Sequence, residues 1–102
     1  MDPFKPYQPR PKVVIPKLTV EDAETIAIKA MAFIAADEDL MPRFINLTGC
    51  DSLDDVRGRL TERAFLGSVL DFVLGNEQTT IAFAQSLSMA PEVTMLARAK
   101  LP

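Results

Sequence analysis

The run from Ala23 to Ala36 holds only two ionic side chains, Glu24 and Lys29, and its apolar residues recur at helical spacing rather than in alternation. On a 3.6-residue wheel Ala23, Ile26, Ala27, Ala30, Phe33 and Ile34 form one stripe. Ile28, Met31 and Ala35 widen it, leaving Asp22, Thr25 and Lys29 for the polar strip. Thr19 followed three residues later by Asp22 reads as a capping box, and Glu21 and Glu24 suit the positive end of a helix dipole. The pattern predicts a first helix from Val20 to Ala36. It is apolar enough to belong at the centre of a bundle, wrapped by its neighbours.

The same grammar repeats along the chain. Asp37 and Asp39 both carry carboxylates suited to the start of a second helix, and Pro42, tolerable only in the first turn, favours Asp39 as the cap of a helix from Leu40 to Thr48, with Gly49 as its left-handed exit. Ser52 and Asp55 open a short third helix whose Val56 and Leu60 face inward. From Glu62 to Leu74 the residues Phe65, Leu66, Val69, Leu70, Phe72, Val73 and Leu74 cover a wide arc. Gly67, Ser68 and Asp71 are left on the narrow face of this second central helix, where Gly67 and Ser68 are expected to permit close approach of a neighbour. Asn76 caps a fifth helix carrying Ile81, Phe83, Ala84 and Leu87. Pro91 suits the first position of a final helix carrying Val93, Leu96 and Ala97 inward, with Arg98 and Lys100 near its negative end. No segment alternates with period two, so no strand is expected. The predicted fold is all-α: an orthogonal bundle of five or six short helices, with the first and fourth at its centre.

The N-terminal segment differs in kind. Prolines at positions 3, 6, 9, 11 and 16 fix their own φ and bias the preceding residues toward extended backbone. Residues 1–17 are therefore expected to form a disordered or extended arm, and 18–102 a single helical domain. Its PxxP spacing matches the pre-ordered ligands of aromatic grooves, which makes Pro6, Tyr7 and Pro9 candidate partner contacts.

Charge divides along the same boundary. The net charge of −3 combines four basic side chains against Asp2 in residues 1–17, a local +3, with seven basic against thirteen acidic in the remainder, a local −6. Nucleic-acid affinity is won chiefly by neutralising phosphates, so an acidic body argues against a duplex partner. The body's only basic cluster is Arg57, Arg59 and Arg63. Two readings are open: a clamp for an acidic partner, or a solvated face balancing Asp54, Asp55 and Glu62.

Candidate chemistry is sparse. The chain has no histidine, which removes the commonest general base and metal ligand. The single cysteine, Cys50, has no basic activator nearby in sequence and reads as a small apolar turn residue. Asp37, Glu38 and Asp39 lack the oxygen ligands that a calcium loop needs further on, where Met41, Arg43 and Ile45 stand. The four glycines form no phosphate-cradling loop. No catalytic, cofactor-binding or metal-ligating set is predicted, and the chain is not expected to be an enzyme. Without an apolar leader, a span of about 20 apolar residues, or paired cysteines, a cytoplasmic location is expected.

The segments ETIAIKAMAFIAADEDLMPRFINLTG, DDVR, FLGSVLDFVL and FAQSLSMAPEVTMLARAKL together resemble an uncharacterised family of small all-helical bacterial proteins, found chiefly in alphaproteobacteria. The likeness covers about Glu21 to Leu101. It implies a cytoplasmic helical domain and supplies no activity, cofactor or site residue.

Two functional expectations follow from the residues. The first is a protein-protein interaction or regulatory module, acting through the arm, through Arg57, Arg59 and Arg63, or as a homodimer through surplus apolar surface on the first helix. The second is a binding protein, or a cryptic enzyme, for a small apolar ligand held in a pocket between the first and fourth helices.

Overall fold

A computed structural model describes residues 17–102, so the candidate contacts Pro6, Tyr7 and Pro9 lie outside the described residues. Six helices follow in order: α1 (Val20–Ala35), α2 (Leu40–Thr48), α3 (Leu53–Arg59), α4 (Arg63–Leu74), α5 (Glu77–Ser86) and α6 (Glu92–Ala99). Among the described residues there is no strand.

The capping box predicted for α1 is present. Thr19 Oγ1 accepts from the Asp22 amide at 3.1 Å, and Asp22 Oδ2 accepts from the Thr19 amide at 3.0 Å. Small residues at Ala23, Ala27 and Ala30 are fully buried, and this stripe lets α4 and α6 pack closely against α1. Met31 and Ile34 are buried as well, while Ile26 and Phe33 are half-buried. The wrapping is narrower than the apolar arc, since Ile28 and Ala35 face solvent.

Other starts and stops differ in instructive ways. Asp39 has helical backbone and caps nothing with its side chain. Asp37 does that work instead, its Oδ1 accepting from the amides of Asp39 at 2.8 Å and Leu40 at 3.0 Å. The Met41 amide already bonds to the Asp37 carbonyl oxygen, so the helical hydrogen bonding begins two residues before the position that Pro42 suggests. Ser52 caps α3 as expected, but Asp55 reaches back to the amide of Asp51 rather than to that of Ser52. Gly49 takes the left-handed exit with φ of 73°.

α4 is the inner rod of the bundle. Phe65, Leu66, Gly67, Val69, Leu70 and Val73 are all buried, against α1, α5 and α6. The close approach expected at Gly67 is made by the segment that follows α6: a Cβ atom there would stand 2.6 Å from the Pro102 carbonyl oxygen. α5 is capped by Asn76 and tied back to α4 by Thr80, whose hydroxyl donates to the Val73 carbonyl at 2.8 Å. Phe83 of α5 meets Phe33 of α1 with ring centroids 5.5 Å apart. Pro91 precedes α6 with helical backbone, one residue earlier than the first-turn position predicted for it. Thr94, absent from the sequence-based core, is fully buried on α6, and its hydroxyl has no hydrogen-bond partner among the described residues.

Candidate functional site

α2 packs against α1, and its Leu40 and Met41 lie partly buried against the core. Phe44 is its only buried residue and stands between two rings of α4, edge-on to Phe65 at 5.9 Å and to Phe72 at 5.4 Å. Burying such a ring is worth about 1.5–3 kcal/mol and anchors α2 on α4. A cavity of about 610 Å³ opens beside Phe44.

The walls of this groove have distinct chemistry. Leu40 and Leu47 of α2 and Phe65 and Phe72 of α4 give it apolar sides. Leu47 stands out, with 72% of its surface exposed. Arg43 from α2 and Arg59 from the end of α3 bring two guanidinium groups. Asp71 is the acidic member of the lining, and it is already engaged, accepting from Arg98 Nε at 2.6 Å. Thr48, Ser68, Asn76 and Thr79 complete the lining with neutral polar groups.

The site predicted for a small ligand, between α1 and α4, is not where this concavity falls. No residue of α1 lines it, and the small residues Ala23, Ala27 and Ala30 of α1 are fully buried where α4 and α6 pack on that helix. The concavity lies one helix over, where α2 rests on Phe44.

The three arginines read from the sequence are distributed among acidic partners. Arg57 approaches Asp54 at 3.6 Å, Arg59 approaches Asp55 at 3.3 Å, and Arg63 crosses to Glu24 on α1 at 3.3 Å. Of the three, Arg59 alone lines the groove. Arg43 was not singled out from the sequence. Its position was nonetheless readable: Leu40 and Leu47 are seven apart on α2 and Arg43 falls between them, flanking an apolar arc wider than one neighbouring helix covers.

Elsewhere the described residues offer little reactive chemistry. Cys50 is buried. No group of three or more histidine, cysteine, aspartate or glutamate side chains could hold a metal ion among the described residues. The Asp22 carboxyl is held below its usual pKa, first by the hydrogen bond from the Thr19 amide and then by the Thr19 side chain. That shift belongs to a helix cap. No helix of the described residues is long and apolar enough to cross a membrane.

These features define a small all-helical bundle with an open apolar groove and no recognisable catalytic constellation among the described residues. The chain belongs to the family described as "protein of unknown function (DUF3572)", whose model matches residues 20–102. No curated protein and no solved structure matches the chain.

Proposed function

We infer that this chain is a protein-protein interaction or regulatory module of the cytoplasm rather than an enzyme, and that the groove between α2 and α4 receives a helical segment of a partner protein. The observation that carries the reading is Leu47. A leucine left 72% exposed beside an open cavity with aromatic walls is surface that a partner would remove from water. Its burial would add roughly 1.5–3 kcal/mol to an association. Capture of partners from the native cell with wild type and with Leu47→Ser tests the reading. A partner retained by wild type and lost by the variant, at unchanged melting temperature, is the expected result. Equal recovery by both chains overturns it.

A second reading is favoured by the cavity volume, about 610 Å³, which falls within the usual range of small-molecule sites, roughly 300–1,000 Å³. In that reading a small apolar ligand occupies the groove without a protein partner. A rise in melting temperature with added dodecanoate, absent in Leu47→Ser, would favour it over the first.

A further inference from the structure

Charge distinguishes this groove from the rest of the body. From residue 18 onward the chain has seven basic and thirteen acidic side chains, yet the groove is lined by Arg43 and Arg59 against Asp71 alone. Asp71 is neutralised from outside the groove by Arg98 at 2.6 Å. Arg59 shares its charge with Asp55 at 3.3 Å. Arg43 is exposed and joins no ion pair among the described residues. The result is an apolar trough with a cationic flank on an otherwise acidic surface.

We propose that the occupant of this groove is an acidic amphipathic helix of a partner protein, with leucine or aromatic side chains at helical spacing on one face and aspartate or glutamate on the flank that meets Arg43 and Arg59. The inference rests on the interaction reading above and adds the partner's chemistry to it. Length supports it. From Phe65 to Gly75 the α4 wall runs about 15 Å, the rise of about ten helical residues, so three turns with anchors at i, i+3 or i+4, and i+7 fill the trough. Charge complementarity selects the sign of the flank, since a carboxylate beside an exposed guanidinium gains a charge-assisted hydrogen bond that a lysine there would replace with repulsion. The chain's own first 17 residues are an unsuitable occupant. They hold four basic side chains against Asp2, the same sign as the groove.

The test is selection of binders to the purified full-length chain from a random displayed library of 12-residue peptides, followed by affinity measurements on the selected sequences. The expected outcome is enrichment of leucine or phenylalanine at i, i+3 or i+4, and i+7, together with aspartate or glutamate on one flank. Binding should weaken about tenfold with Arg43→Glu and recover when the flanking acids of the peptide are changed to lysine. Leu47→Ser should weaken every selected peptide. Both positions are exposed, and unchanged melting temperatures of the two variants verify the fold. If peptides need Leu47 but show no acidic enrichment, or are indifferent to Arg43→Glu, the acidic partner is overturned while the groove reading stands. If no selected peptide is sensitive to Leu47→Ser, both fall. Self-association of the wild-type chain that Leu47→Ser abolishes would overturn the proposal in favour of a second copy.

Discussion

Asp71 on α4 and Arg98 on α6 are joined by a 2.6 Å hydrogen bond from Nε to Oδ1 across 27 residues of sequence. The same guanidinium donates from Nη1 to the carbonyl oxygens of Leu101 at 2.9 Å and Pro102 at 3.1 Å. One side chain therefore ties the segment after α6 to the inner rod. The arginine side is the more shielded, at 28% side-chain exposure against 58% for Asp71. Arg98→Ala removes the ion pair and both carbonyl bonds and is expected to cost about 1–3 kcal/mol in urea unfolding. Asp71→Asn removes only the exposed charge, and its expected cost is below about 1 kcal/mol.

Gly67 sits directly beneath this lock. A Cβ there would lie 2.6 Å from the Pro102 carbonyl oxygen, 3.1 Å from Arg98 Nη1 and 3.2 Å from Arg98 Cζ. Alanine ordinarily favours a helix interior over glycine by about 1 kcal/mol. Here the close approach outweighs propensity, because the obstructing atom belongs to backbone that Arg98 holds in place. Gly67→Ala is expected to lower stability by about 1–3 kcal/mol, whereas Gly58→Ala, where nothing lies within 4 Å of the added Cβ, should be neutral or stabilising by the same chemical denaturation.

Gly67 also marks where the sequence stopped being legible. Helical periodicity was enough to find all six helices, because wide apolar arcs on α1 and α4 and polar caps at Thr19, Ser52 and Asn76 are local signals. A glycine beside Ser68 signals room for a close neighbour, but nothing local reveals that the neighbour is residues 98–102 returning across it. Thr94 was missed for a similar reason: its hydroxyl makes it read as polar although the bundle closes over it. The groove was misplaced by one helix because apolar arcs say how much surface must be covered and not how closely two helices approach. That distance is decided by Ala23, Ala27 and Ala30 on one side and Phe44 on the other. Of Arg57, Arg59 and Arg63, Arg59 reaches the groove, whereas Arg43 stands isolated among apolar neighbours in sequence and belongs to no basic cluster.

The end of α5 holds a residue in an unfavourable conformation. Ser88 has φ of 52°. The amides of Ser88 and Met89 bond back to the carbonyls of Gln85 and Ala84, the reciprocal pattern of a Schellman cap, whose left-handed position is usually glycine. An L-residue there carries a steric cost of about 1–2 kcal/mol. The greater backbone entropy of unfolded glycine offsets part of that gain. Ser88→Gly is expected to stabilise the fold by about 0.5–1 kcal/mol, read as a rise in the urea midpoint with an unchanged slope.

Thr94 gives a second route to stabilisation. Its hydroxyl is buried without a partner among the described residues, so the folded state bears the desolvation of a polar group for no bond in return. Thr94→Val keeps the branched shape and is expected to raise stability by about 1 kcal/mol. Thr94→Ala opens a cavity in the same place and should lower it. The opposite signs of the two variants in thermal melts separate the polar cost from the packing.

Asp22 gives the fold a pH dependence whose sign is fixed by its cap. The hydrogen bonds from Thr19 stabilise the carboxylate and hold its pKa below the usual aspartate value of about 4. A carboxyl whose pKa is lower folded than unfolded binds fewer protons in the native state, so its contribution is fully present above the unfolded value. That contribution fades as pH drops through the folded one. Asp22→Asn should therefore melt below wild type at neutral pH, with the gap closing as pH falls below about 4. Thr19→Ala removes the hydroxyl oxygen that accepts from the Asp22 amide and keeps the backbone amide that donates to the carboxylate, so it should retain a deficit at low pH because the lost bond does not depend on ionisation. A gap between Asp22→Asn and wild type that stays constant from pH 7 to pH 2 would show that the capping box contributes no charge-dependent stability.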